Sequence, residues 1–294
     1  QHANELKISH MNIKTNTIST TLLLLSLLYG CVSTKNSGNG WHSLFNGKDL
    51  SGWDTYLGPE HVETGGKPSV APLGLNKDPN HVFQVVVEDG SPVLRISGQT
   101  GGGISTQSTF ENFHLRLEFK WGNKMWWPKS KPIKDSGLLY HAVGPHGADF
   151  GSWMRSQELQ IQVGDCGDYW GVAGGAFDIP AKRDPKGNYI YDAHGELCSF
   201  SADSPAGRHC IKNPDAEKPV GEWNTIDLYC HGDTSVHVIN SVVNMVLFHS
   251  RQVNKSKSSP LTKGKIQLQS EGAEIFFRNL EWQPIGRIPE SLLK

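Results

Sequence analysis

Apolar and polar residues alternate along most of residues 41–285, and this period of two predicts β-strands rather than helices. Between Ser156 and Asp165, the side chains of Leu159, Ile161 and Val163 fall on one side, with Glu158, Gln160 and Gln162 on the other. Phe113, Leu115, Leu117, Phe119 and Trp121 alternate in the same way with His114, Arg116, Glu118 and Lys120. Near the end of the chain, Ile266 and Leu268 alternate with Lys265, Gln267 and Gln269. Further strands are expected over 81–88, 92–97, 136–142, 222–231, 234–240, 242–248 and 274–283, with Asp89-Gly90 as a hairpin turn. Three stretches break the pattern: 58–80 and 122–136 read as loops, and 177–218 as a long irregular excursion rich in Pro, Gly, Asp and Asn. No ten-residue segment of the domain has helical periodicity. Many short strands separated by turns predict an all-β fold, an antiparallel β-sandwich.

The first 40 residues do not share this pattern. Residues 1–10 have no recognisable role, and Met11 reads as the start of a signal peptide spanning 11–30, with Lys14 as its positive region and 20–28 as its apolar region. Leu28-Tyr29-Gly30-Cys31 resembles a bacterial lipoprotein cleavage box, which makes Cys31 the expected lipidation site; a plain secretory signal is the other reading. Residues 31–40 then form a polar tether, and 286–294 a short tail after the domain at 41–285. The expectation is an exported protein, anchored by lipid in the bacterial envelope, with the periplasmic face as the first reading and the cell surface as the second, and in contact with the membrane only through that anchor.

With 294 residues and a formal net charge of −1, the chain has no field that would attract a polyanion, so no nucleic-acid partner is expected. Export makes Cys166, Cys198, Cys210 and Cys230 candidates for disulfides, with Cys198–Cys210 the first choice among three pairings and buried free thiols the alternative. Their spacing matches no zinc site.

A row of one carboxylate and two carboxamides on a rigid strand matches the donors and acceptors of a polyol, although a solvated strand face carries the same residue types. Trp126, Trp127 and Trp170 are candidate platforms for the C–H faces of a sugar.

Several stretches resemble the 3-keto-disaccharide hydrolase domain family: Trp41 to Trp53, Gly103 to Phe119, Ser136 to Tyr140, Glu158 to Ile161, Gly221 to Asn224 and Gly264 to Trp282. The resemblance implies a concanavalin- or laminarinase-like jelly roll with the site on its concave sheet, and activity on sugars already oxidised to a ketone at C3. Such a ketone acidifies the C2 hydrogen, so the glycosidic bond can break by proton removal and expulsion of the C1 substituent, followed by hydration. That chemistry needs a base, a stabiliser of the enolate and an acid for the leaving oxygen.

His141 and Glu158 are the candidate acid–base residues, and Glu271 stands where the family often has His or Asp. Gln160, Gln162, Gln267, Gln269 and Tyr140 are candidates for binding substrate, as is Arg278, which otherwise pairs with Glu158 or Glu271. A divalent cation acting as a Lewis acid is left open, with no ligand set assigned. Two other readings compete: a conventional jelly-roll glycoside hydrolase, and a non-catalytic carbohydrate-binding lipoprotein.

Overall fold

The computed structural model describes residues 40–60, 71–126, 133–255 and 257–294. The expectations for the leader, Cys31, the tether up to residue 39 and Trp127 lie outside the described residues.

Two antiparallel sheets face one another in a β-sandwich of the jelly-roll class. The front sheet has eight strands in the order His209–Cys210, Tyr169–Val172, Arg155–Gln162, Asp135–Val143, Lys265–Ser270, Gly102–Thr106, Trp53–Leu57 and Gly74–Leu75. The back sheet has twelve and is centred on Phe113–Met125, which lies between Asn224–His231 and Ala273–Pro284. The predicted alternation decides which side chains enter the space between the sheets. Leu159, Ile161 and Leu268 enter from the front sheet, and Leu115, Leu117, Phe119, Ile275 and Phe277 from the back, all into one buried cluster. Burial of each such side chain contributes about 1.5–3 kcal/mol relative to leaving it in water. The hairpin at Asp89-Gly90 joins Phe83–Glu88 to Ser91–Ile96, with both turn residues at positive φ (51° and 75°) as a primed turn requires. The only helix among the described residues is the 3-10 turn Glu290–Leu292.

Three expectations are corrected. The stretch 177–218 is not irregular: it carries most of Gly175–Arg183 and all of Tyr189–Tyr191, Glu196–Phe200 and His209–Cys210, and it buries Phe177, Ile179 and Phe200. Three of these strands have five residues or fewer, too few for a period to emerge between their turns. The strand that begins at Phe113 runs on to Met125, into the segment read as a loop. All four described cysteines are free. Cys198 lies in a strand paired to the back sheet and Cys210 in the front sheet, and burial pushes both thiols up.

Candidate active site on the front sheet

The outward face of the front sheet carries the predicted polar row. Register places Glu158 between Trp170 on one neighbouring strand and Leu139 on the other, Gln160 opposite Gly137, and Asp135 opposite Gln162. Gln267 pairs with Leu139 and Ser105, and Gln269 with Gly103. Directly paired residues share a face, so Glu158, Gln160, Asp135, Gln267, Gln269 and Trp170 line one surface. Two glycines make room for it. A Cβ on Gly137 would lie 2.3 Å from both Gln269 Oε1 and Glu158 Oε1, and one on Gly103 would lie 2.7–2.9 Å from the Gln267 side chain.

Three carboxyls converge here. Burial pushes Glu158 well above the usual carboxylate range, the Asp135 charge adds to this, and Arg208 and a bond from Gln269 oppose it too weakly to restore it. Burial likewise pushes Glu271 well up, helped by Asp135, Glu158 and Asp149. Asp135 is raised to about 7, by burial first and the Asp165 carboxylate last, while the backbone N–H of Ser136 opposes the rise. Both glutamates are therefore shifted towards the neutral acid, and Asp135 titrates near neutrality. The floor also holds buried polar atoms with no partner among the described residues: Asp135 Oδ1, Gln267 Nε2, Gln269 Oε1 and Ser105 Oγ. Unmade hydrogen bonds of this kind cost about 1–3 kcal/mol each unless a ligand or water completes them.

The loop after Asp135–Val143 folds back over part of this surface. Met154 N donates to Gln267 Oε1 (3.0 Å) and Trp153 Nε1 to the Gly102 carbonyl (2.9 Å). Trp153 packs with Leu139 and Val172 as a small apolar plug. Asp149 in the same loop accepts from Arg208 (3.0 Å), whose guanidinium also lies 5.4 Å from the Trp170 ring.

Several predicted site residues are elsewhere. His141 is not on this face: the strand bulges between Tyr140 and Val143, His141 takes φ 52°, and its ring enters the core beside Phe113 and Tyr140 at 1% exposure. Burial holds it near a pKa of about 3, so it is not a base with access to substrate. Tyr140 also faces the core, away from this surface, with its hydroxyl 3.0 Å from His237 Nε2. Arg278 lies on the back sheet. Its Nε donates to Glu118 (2.7 Å) and its guanidinium caps Trp223 (3.8 Å), so it pairs with neither Glu158 nor Glu271. Gln162 shares the polar side, but its amide donates to Asp165. Trp126 lies at the rim next to Glu271: its backbone N–H donates to the Gly272 carbonyl and its indole to the Ser97 carbonyl. Trp170 is on the floor, stacked on His209 at 4.1 Å.

Sequence reasoning missed Asp135, one residue before the expected strand, Asp149, between the strand expected over 136–142 and the alternating run from Ser156, and Arg208 and His209 in the excursion read as irregular. The alternation of Asp135 with Gly137 and Leu139 was the one available signal. Among the described residues no group of three or more His, Cys, Asp and Glu side chains is arranged to hold a metal ion.

Similar folds occur in two proteins of Parabacteroides distasonis ATCC 8503, provisionally described as glycosyl hydrolases. One is 19% identical, with 84% of this chain and 95% of that chain covered (TM-score 0.45). The other is 21% identical, with 71% and 93% covered (TM-score 0.42). A carbohydrate-binding module from Bacillus subtilis is 8% identical, with 68% and 91% covered (TM-score 0.39). None of the curated proteins matches the sequence. The profile of the 3-keto-alpha-glucoside-1,2-lyase-like domain matches residues 40–283, nearly the whole sandwich, and the chain therefore belongs to that carbohydrate-active family.

Proposed function

We propose that the protein cleaves 3-keto-glycosides by removing the C2 proton and expelling the C1 substituent, with hydration of the resulting enone as a second step. The observation that carries this reading is the set of three buried carboxyls on one polar floor, all shifted towards the neutral acid by burial and by one another, with Asp135 raised to about 7. A base tuned to the working pH is what proton abstraction next to a ketone needs, and neutral carboxylic acids can donate hydrogen bonds to the developing enolate oxygen. Asp135 is assigned as base, and Glu158 and Glu271 as donors. Gln160, Gln267 and Gln269 orient the sugar hydroxyls, and Trp170 supplies the apolar wall. Family membership supports the choice of a keto sugar. The leader pattern ending at Cys31 supports a place in the bacterial envelope, held there by lipid.

The reading is tested by incubating the protein with a 3-keto-glucoside and with its unoxidised parent, each with and without a chelator. Aglycone release from the keto compound alone is expected. Release from the parent at a comparable rate would replace the proposal with conventional glycoside hydrolysis, and loss of activity in the chelator would add a cation to the site.

A further inference from the structure

Phe150 plays no part in the roles assigned so far. It is the most exposed large apolar side chain among the described residues (76%), and its φ of 46° is left-handed backbone that a bulky residue seldom adopts. A tight turn holds it there: the backbone N–H groups of Ser152 and Trp153 donate to the Asp149 carbonyl (2.9 and 3.2 Å), and that of Asp149 donates to the Trp153 carbonyl (3.1 Å). Strain of this kind persists where the surroundings enforce it, and it clusters at ligand-binding surfaces. The turn hangs over the carboxyl floor, for the Asp149 charge is among those that, after burial, raise both Glu158 and Glu271. The Arg208 guanidinium, bonded to Asp149, lies 5.7 Å from the Phe150 ring and 5.4 Å from the Trp170 ring, and so links the two. Trp170 stands upright on the floor, stacked on His209 (4.1 Å, 10°) from the next strand outward. Rings on adjacent strands that stack flat turn their faces along the line joining the strands. The Trp170 face that His209 leaves uncovered therefore looks toward Glu158, its partner on the inner strand. Phe150 and Trp170 thus bound the Glu158 end of the floor, whereas Asp135 lies four residues along its strand from Leu139, the partner of Glu158.

We infer that Phe150 and Trp170 form the subsite for the aglycone and select a flat aromatic one; the inference rests on the elimination reading above, in which Asp135 and the amide row hold the keto sugar. The aglycone then extends from C1 away from Asp135, across Glu158 and under the overhanging turn. The chemistry of this end favours an aryl group over a second sugar. Its nearest polar side chains, Arg208 and Asp149, are bonded to each other, so the amide-rich surface that suits hydroxyls gives way here to two rings. The guanidinium beside both rings attracts a third π face as well. An anionic aglycone is disfavoured by the carboxyls of the floor.

The protein, as wild type, Phe150→Ala and Trp170→Ala, is assayed on the benzyl and the ethyl 3-keto-glucosides. Their leaving alcohols are of similar acidity, so a difference between the two substrates reports binding of the ring. The wild type is expected to prefer the benzyl compound. The ratio of kcat/KM for benzyl over ethyl is expected to fall about threefold in Phe150→Ala and about tenfold in Trp170→Ala, chiefly through KM. Phe150→Tyr, which keeps the ring, should keep the ratio. The exposed Phe150 supports no core packing, so Phe150→Ala supplies the test should Trp170→Ala not fold. Equal losses on both substrates would reduce the two rings to a structural role and overturn the inference, as would a ratio that neither variant moves. Failure of the wild type to cleave either keto compound would count against the elimination reading instead. The subsite is then read from calorimetric affinities for the same two compounds, where the same falls support it and an unmoved ratio overturns it.

Discussion

Asp135→Asn is expected to lower kcat/KM on a 3-keto-glucoside by about 10³-fold, within the range that removal of a general base produces. Asparagine has nearly the same shape but cannot take the C2 proton. The fold is expected to survive, and unfolding in urea should show a stability equal to or above that of the wild type, because the Asp135 charge is the leading charged neighbour raising both Glu158 and Glu271. The pH dependence follows from the same group. Asp135 acts when ionised, so wild-type kcat/KM should fall as pH drops below about 7, and this acidic limb should vanish from the residual activity of the variant. A loss of less than tenfold would move the base elsewhere.

The second large effect is on stability rather than turnover. His141→Phe is expected to retain activity and to resist acid better than the wild type. In the folded protein burial lowers the His141 pKa from 6.5 to about 3, whereas the unfolded chain protonates near 6.5. A depressed pKa means that the unfolded state binds more protons between these values, so stability is lost as pH falls below about 6.5 and the loss is complete near 3. At pH 5 the penalty from this residue is about 2 kcal/mol and at pH 7 almost nothing. His237, lowered to about 4 by burial, adds a penalty of the same sign, while the raised carboxyls Asp135, Glu158 and Glu271 act in the opposite sense. Comparing the two proteins at both pH values cancels these shared contributions. Phenylalanine also fits the aromatic contacts with Phe113 and Tyr140, and it removes two ring nitrogens that make no hydrogen bond of good geometry. Urea unfolding at pH 7 and pH 5 should therefore show the difference between variant and wild type widening by about 2 kcal/mol at the lower pH. Loss of turnover with the fold intact would restore His141 to the mechanism.

The contrast between Glu158 and His141 shows what alternation can and cannot locate. Glu158, Gln160, Gln267 and Gln269 were legible because each lies in an unbroken strand, where parity alone fixes the face. His141 has the parity of Leu139, yet it sits inside the bulge between Tyr140 and Val143, which turns it inward, and bulges leave no periodic trace in sequence. Arg278 failed for a similar reason: its register shifts before Glu281, and its partners Glu118 and Trp223 come from distant parts of the chain. Asp135 opens its strand one residue before the run that alternation picked out, and His209 lies in a two-residue strand with no period to read. The convergence of Asp135, Glu158 and Glu271 depends on strand order, since these residues come from three separated segments. The sandwich itself was legible because it depends only on the number and spacing of alternating runs.

The central claim is that cleavage begins at the C2–H bond, and the direct measurement is the fate of that hydrogen. A 3-keto-glucoside carrying deuterium at C2 is cleaved in ordinary water, and the sugar product is examined by mass spectrometry against a sample kept without protein. Loss of the C2 deuterium in step with aglycone release is the predicted result. Release of the aglycone with the C2 deuterium retained in the sugar product would contradict it.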